Sequence, residues 1–197
     1  MNTQHKKSIA IFASGTGTNA ANIIQYFKQK QTAIAALIVC NNSQAGVLKI
    51  AEANNIPSII IEKEKFFKAD AYVPELKNAS IDFIVLAGFL WKIPSLIINE
   101  YRNKIINIHP ALLPKFGGKG MYGNFVHEAV LSAKEKQSGI TIHFVDEFYD
   151  NGKTVFQTTC PVYETDTAET LAKRIHELEY KYFPTVIEEL IEKSIAD

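Results

Sequence analysis

Asn107 and His109 are the residues whose chemistry stands out first. They lie two apart in Lys104-Ile105-Ile106-Asn107-Ile108-His109-Pro110, so in an extended chain both side chains point to one side. An amide and an imidazole placed together can polarise a carbonyl and stabilise the oxyanion that forms when a nucleophile attacks it. Pro110 restricts His109 to an extended conformation and ends the strand. A strand-end histidine also serves plain structural roles, so the pair alone leaves both readings open. The second candidate is Ser14-Gly15-Thr16-Gly17-Thr18-Asn19-Ala20, whose backbone amides at the start of a helix suit a phosphate. As a bare tight turn it would bind nothing. Gly15-x-Gly17-x-x-Ala20 also matches the loose dinucleotide fingerprint, which expects an acid about twenty residues further on. The next strand instead ends Val39-Cys40-Asn41-Asn42, and no Asp or Glu lies between Gly15 and Glu52. A nicotinamide oxidoreductase therefore loses its main support, and a phosphate site without a dinucleotide is preferred.

The elements that must position these residues alternate. Ser8 to Ala13, Ile34 to Cys40, Ser58 to Ile61, Phe83 to Ala87 and Lys104 to Ile108 read as buried strands. Between them come helices over Asn19 to Gln31, Val47 to Asn54, Phe66 to Lys77 and Ser95 to Asn99. Alternating β and α with continuous apolar strands implies an α/β fold, a Rossmann-like open and mostly parallel twisted sheet with helices on both faces. After Pro110 the pattern changes. A Gly-rich loop, Phe116 to Gly123, leads to a helix around Phe125 to Lys136. Strands at Gly139 to Val145 and Thr154 to Pro161 flank a turn-like Tyr149-Asp150-Asn151-Gly152, giving an antiparallel strand near the C-terminal part. A long C-terminal helix starts near Thr167, with Asp166 as its N-cap, Glu169 as the capping-box acid and a kink or break at Pro184.

Composition bounds the function classes. A chain of 197 residues with 47% hydrophobic and 21% charged residues is an ordinary globular chain, and one domain is the economical reading. Lys plus Arg and Asp plus Glu are both 21, so the basic surplus of a nucleic-acid binder is missing. Cys40 and Cys160 sit in apolar runs without metal-like spacing and read as buried reduced thiols. The apolar run Ile9 to Ala13 is too short for a secretory signal, and no stretch approaches the roughly 20 apolar residues of a bilayer span. A protein of the cytoplasm is expected.

Asn107-Ile108-His109-Pro110-Ala111-Leu112-Leu113-Pro114 closely resembles the Asn-x-His-Pro-x-Leu-Leu-Pro signature of the formyltetrahydrofolate-dependent formyltransferase family. Three further segments are similar to its glycinamide ribonucleotide transformylase branch: Gly15 to Asn19, Leu86 to Phe89, and Ser138 to Asp146. Their order and spacing fit essentially the whole chain. The resemblance implies a single formyltransferase domain over 1–197, with a phosphate-binding α/β half to about residue 110 and a folate and catalytic-loop half after about 111. It implies transfer of a formyl group from 10-formyltetrahydrofolate to the amine of phosphoribosylglycinamide. Folate would then be a co-substrate, with no tightly bound cofactor and no metal. By the same resemblance Asn107, His109 and Asp150 are catalytic, and Gly17, Thr18 and Asn19 hold the substrate phosphate. Glu179 sits at the substrate's amine end, and Leu90, Trp91, Lys92, Ile93, Asn107 and Val145 contact folate. Protonated His109 would meet the oxyanion beside Asn107, with Asp150 favouring the charged imidazole and relaying a proton to the leaving folate nitrogen. The expected partners are small molecules, with no nucleic acid and no membrane, in a monomer or weak homodimer.

On residue type alone, Asp150 before Asn151-Gly152 is also a turn former, Glu179 a solvated helix acid and Trp91 a hydrophobic anchor. His127 and His176 read as surface or capping residues and His143 as structural. The chain departs from the family pattern at Phe116 to Gly123, where no His precedes His127, and at Asp150-Asn151-Gly152 in place of Asp-Gly-Gly. Trp91 replaces a frequent Arg, and only Lys65 or Lys68 stands near the place of another. These changes touch closure and affinity rather than the catalytic trio. The nearest rival is a 10-formyltetrahydrofolate hydrolase, which usually carries an N-terminal regulatory domain for which the start of the first strand at Ser8 leaves no room. A transfer-RNA formyltransferase would normally add a C-terminal RNA-binding domain. A silent folate- or nucleotide-binding module is expected to lack at least one of Asn107, His109 and Asp150.

Overall fold

The computed structural model describes residues 6–196. The chain forms two compact units, one running to Ile105 and resuming at Pro184, the other spanning Ile106–Phe183.

The first unit begins with β1 (Lys7–Ala13), whose residues from Ser8 onward are all buried. Such a strand has no solvent face, so it must be paired on both edges and covered on both sides. It pairs in parallel with β2 (Ala33–Cys40) and with β4 (Phe83–Leu86), and β2 pairs in parallel with β3 (Ser58–Ile60). The local order is β3-β2-β1-β4. α1 (Thr18–Lys30) buries Ala20, Ile23, Ile24 and Phe27, the i, i+3, i+4, i+7 stripe expected of it. α2 (Gly46–Ala53) buries Val47 and Ala51. Fully buried Ile and Phe side chains such as Ile9, Ile11, Phe12, Ile38 and Ile84 each contribute roughly 1.5–3 kcal/mol.

The single helix expected over Phe66 to Lys77 is instead two short ones, α3 (Lys63–Lys68) and α4 (Val73–Asn78). Ala71 and Tyr72 between them take left-handed φ angles of 53° and 59°. Tyr72 holds that break: its N–H donates to Asp70 Oδ1 at 3.0 Å and its hydroxyl accepts from Glu62 N–H at 2.9 Å. α5 (Ser95–Glu100) precedes the second unit.

In the second unit β6 (Gln137–Phe144) runs antiparallel to both β5 (Ile105–His109) and β7 (Thr154–Pro161). α6 (Asn124–Ser132) stops four residues before the expected Lys136, because Lys134 turns left-handed at φ 52° and releases the chain into β6. α7 (Ala168–Ala196) runs through Pro184 without the expected break, and the boundary between the two units falls between Phe183 and Pro184. Its cap is Thr167 rather than Asp166. Thr167 Oγ1 accepts from Thr170 N–H at 3.3 Å, and Thr170 Oγ1 accepts from Thr167 N–H at 2.9 Å, a reciprocal box that Glu169 was expected to close. Asp166 instead forks onto the Arg174 guanidinium at 2.9 and 3.0 Å. The chain is thus an α/β protein with parallel strands first, antiparallel strands in its C-terminal part and a long C-terminal helix. Cys40 and Cys160 are both free and buried. No described helix is long and apolar enough to cross a membrane.

Candidate active site

The i, i+2 spacing sends Asn107 and His109 to one side of β5, and the antiparallel register sets His143 opposite Asn107 and Thr141 opposite His109. Thr141 fixes the chain just beyond His109. Its hydroxyl donates to Ala111 O at 2.7 Å and accepts from Leu113 N–H at 3.0 Å and Gln157 Nε2 at 2.9 Å.

Asp150 comes to the pair from the turn between β6 and β7. Its φ of 51° is left-handed, a conformation Asp tolerates better than most residues. Gly152 is required there, since an added Cβ would lie 1.8 Å from Phe144 O. Asp150 therefore does form a turn, and its carboxylate is also committed. Oδ2 accepts from Gly118 N–H at 2.9 Å and lies 3.5 Å from His109 Nδ1. Oδ1 lies 3.4 Å from Asn107 Nδ2 and 3.6 Å from His143 Nε2. His109 and His143 are 3% and 2% exposed, so little water screens this cluster.

Carbonyl partners assign the ring protons, because a carbonyl can only accept. His109 Nε2–H donates to Phe116 O at 2.7 Å. His143 Nδ1–H donates to Phe144 O at 2.8 Å, which leaves its Nε2 to accept from Asn107 Nδ2 at 3.2 Å. His143, expected to be purely structural, thus joins the cluster by orienting the Asn107 amide. The cross-strand register is the signal that finds it.

Burial pushes the His109 imidazole below its ordinary value, and this outweighs the upward pull of the Asp150 carboxylate and the Phe116 carbonyl. Burial thus opposes the imidazolium that the Asp150 contact favours. Burial pushes the Asp150 carboxyl up, but the His143 and His109 rings, when protonated toward it, and the Gly118 N–H prevail and hold it below the usual carboxylate range. His127, expected at the surface or at a helix cap, is 3% exposed, and its Nδ1 has no partner. Burial, with His176 and His109 nearby, lowers it to about 4. His176 is exposed, as expected.

The other expected site residues occupy several places. Gly17, the N-cap of α1 at φ 80°, lies so close to α2 that an added Cβ would meet Val47 Cβ at 2.7 Å. α1 has no side-chain cap and no acid in its first turn. Thr18 is exposed and Asn19 half-buried. Ser14 ties this loop to the segment after β4, donating its N–H to Gly88 O at 3.0 Å and accepting from Leu90 N–H at 2.9 Å. In that segment Leu90 and Lys92 are exposed, Ile93 is buried, and Trp91 leans on Phe66 and Phe67 with ring centroids 5.7 and 5.6 Å apart. Lys65 is engaged by Glu75 and by Asp70, and lies over the Tyr72 ring. Glu179 is 5% exposed, which removes the solvated-acid alternative. Val145, half-buried, follows β6. Among the described residues no group of three or more His, Cys, Asp or Glu side chains could hold a metal ion.

An amide donor, an imidazole and a carboxylate held in one dry cluster can polarise a carbonyl and move a proton beside it. Over residues 7–187 the chain matches the family described as formyl transferase. The chain belongs to the formyl transferase family. As a formyl transferase it is an enzyme that transfers a group. It is 39% identical over 190 residues to the phosphoribosylglycinamide formyltransferase of Bacillus subtilis (strain 168), covering 94% of this chain and 95% of that protein. A chloroplastic phosphoribosylglycinamide formyltransferase of Vigna unguiculata is 40% identical over 199 residues, and the match spans 98% of this chain but 64% of that relative's length. Among solved structures, the phosphoribosylglycinamide formyltransferase of Bacillus halodurans superposes with a TM-score of 0.87 at 36% identity, covering 95% of this chain and 97% of that one.

Proposed function

We propose that the protein transfers the formyl group of 10-formyltetrahydrofolate to the amine of 5-phosphoribosylglycinamide, a step of de novo purine biosynthesis. The observation that carries this reading is the convergence of Asn107, His109 and Asp150 in one buried cluster of a formyl transferase family member. In this reading the substrate amine attacks the formyl carbon as a free base. Asn107 Nδ2 and His109 Nε2–H donate to the oxygen as it gains charge, each contributing about 3 kcal/mol to lowering the barrier. A neutral His109 suffices as donor, in keeping with its lowered pKa. The new carbon–nitrogen bond forms, the bond to the folate nitrogen N10 breaks, and one amine proton ends on N10. Asp150, held ionised, relays that proton through water.

Gly17, Thr18 and Asn19 at the uncapped start of α1 are assigned the substrate phosphate, which the helix N-terminus and the lack of a nearby acid favour. Leu90, Trp91, Lys92, Ile93, Asn107 and Val145 are assigned to folate, and the buried Glu179 to the amine end of the substrate. Folate is consumed as a co-substrate. The test is a spectroscopic assay for loss of 10-formyltetrahydrofolate with and without phosphoribosylglycinamide. Loss that depends on the glycinamide, with one formylated product per folate consumed, supports the transferase. Equal loss without it identifies a hydrolase, and no loss with folate still bound identifies a silent binding module.

A further inference from the structure

The stretch Phe116 to Gly118 places main chain directly on the two ionisable groups. Phe116 O accepts the His109 Nε2–H at 2.7 Å, and Gly118 N–H donates to Asp150 Oδ2 at 2.9 Å. Gly117 between them has no room for a side chain, since an added Cβ would lie 2.5 Å from Leu113 Cδ2 and 3.2 Å from Asp150 Cβ. Phe116 holds a left-handed φ of 57° and Gly118 one of 98°. With Nδ1 facing Asp150 at 3.5 Å, both ring nitrogens of His109 are occupied. In this state the histidine has no donor to offer an external oxygen.

We propose that the Phe116–Gly118 main chain is a positioning element that stands in for the substrate carbonyl. The Phe116 oxygen holds the His109 Nε2–H at rest and gives way to the acyl oxygen when it binds. The identity of the incoming oxygen rests on the formyl-transfer reading above, whereas the resting contact does not. Swapping one carbonyl acceptor for another keeps the number of hydrogen bonds constant, whereas an empty site would leave a buried N–H unsatisfied. The resting contact also keeps a proton on Nε2, whatever the state of Nδ1. The exchange needs only rotation of the Phe116–Gly117 peptide, which a glycine on its far side permits. Gly118 meanwhile keeps hold of the carboxylate. The ionisable groups facing His109 are Asp150 from the turn, His143 from β6 and His127 from α6.

Phe116-Gly117 is the sole Phe-Gly pair in the sequence, so ¹³C-carbonyl Phe with ¹⁵N-Gly labelling isolates this one carbonyl in the full chain. In the free enzyme at pH 7, ¹⁵N-histidine spectra should show His109 neutral with its proton on Nε2. Adding 10-formyltetrahydrofolate without the glycinamide should move the Phe116 carbonyl resonance upfield by about 1 ppm or more as its hydrogen bond is lost, with Nε2 still protonated. Gly117→Ala should scramble the tautomer and lower kcat about 10-fold or more, with the folate KM within about twofold. Phe116→Gly, which keeps the carbonyl, should retain the Nε2–H tautomer. An Nδ1–H tautomer in the free wild-type protein overturns the proposal, as does a Phe116 carbonyl unmoved by bound folate. These wild-type spectra decide the matter even if Gly117→Ala does not fold. Glycinamide-dependent turnover with the Nδ1–H tautomer defeats this inference alone. The Nε2–H tautomer and the carbonyl shift, found without any formyl transfer, defeat the functional reading and leave this one standing.

Discussion

His127 makes the acid stability of this protein predictable from one side chain. The ring is 3% exposed, its Nδ1 has no partner, and burial followed by the neighbouring His176 and His109 lowers its pKa to about 4. An unfolded chain takes up this proton near pH 6.5, while the folded chain refuses it until about pH 4, so acid favours unfolding across that window. The full contribution is about 3 kcal/mol, of which about 2 kcal/mol is already lost at pH 5. His109, also lowered by burial, adds to the loss with the same sign. The perturbation that isolates His127 is His127→Leu, close in volume and without a titratable group. Urea unfolding followed by circular dichroism at pH 7.5 and pH 5.0 gives four stabilities. The wild type should lose about 2 kcal/mol more than the variant between the two pH values. At pH 7.5 the variant should be at least as stable, because a buried nitrogen without a partner is gone. Equal acid losses in the two proteins, or a His127 ring that titrates near 6.5 by NMR, would refute the reasoning.

Three further outcomes are expected. His109→Ala and Asp150→Asn should each lower kcat about 100-fold or more with an unchanged circular dichroism spectrum, because Asn accepts the left-handed φ of 51° at position 150; near-wild-type turnover in both removes their assigned roles. Gly17→Ala should destabilise the protein by about 2 kcal/mol or more, because its Cβ would sit 2.7 Å from Val47 Cβ at a φ of 80°; an unchanged melting temperature counts against that packing. Trp91 is the sole tryptophan, so added folate should quench the protein's indole fluorescence. An emission spectrum unmoved by saturating folate argues against placing the ligand at Leu90 to Ile93.

The strands and the glycine loop were legible in the sequence because a strand buried on both faces leaves an unbroken apolar run, as in Ile9 to Ala13. Asn107 and His109 were legible for a related reason: a period of two needs no tertiary information. The α3–α4 break was harder to read, because Ala71 and Tyr72 adopt left-handed backbone without glycine, held there by contacts of the Tyr72 side chain and amide. Pro74, at the start of α4, was the available sign. His143 and His127 were misplaced because the setting of a histidine depends on what lies across the strand or beneath the helix. Only the register that pairs Asn107 with His143 brings the first of them to the cluster. The downward push of burial on His109 was hidden for the same reason. The family resemblance suggests the Asp150 pull, while burial, which prevails, is a property of the assembled structure.

The first unit is assembled from two stretches separated by seventy-eight residues of the other. Its closing part is the last half of α7, where Val186, Ile187 and Ile191 are buried and Glu188 accepts hydrogen bonds from Tyr26 and Thr32, the latter 156 positions earlier. During synthesis every strand of that unit leaves the ribosome long before the helix that completes it. Completion of that unit therefore waits for the last half of α7, and until then Tyr26 of α1 lacks its Glu188 partner. A cut or premature stop near Phe183 would cripple the half of the molecule made first, and the glycine loop cannot be lifted out as a free-standing module by keeping residues up to Ile105 alone.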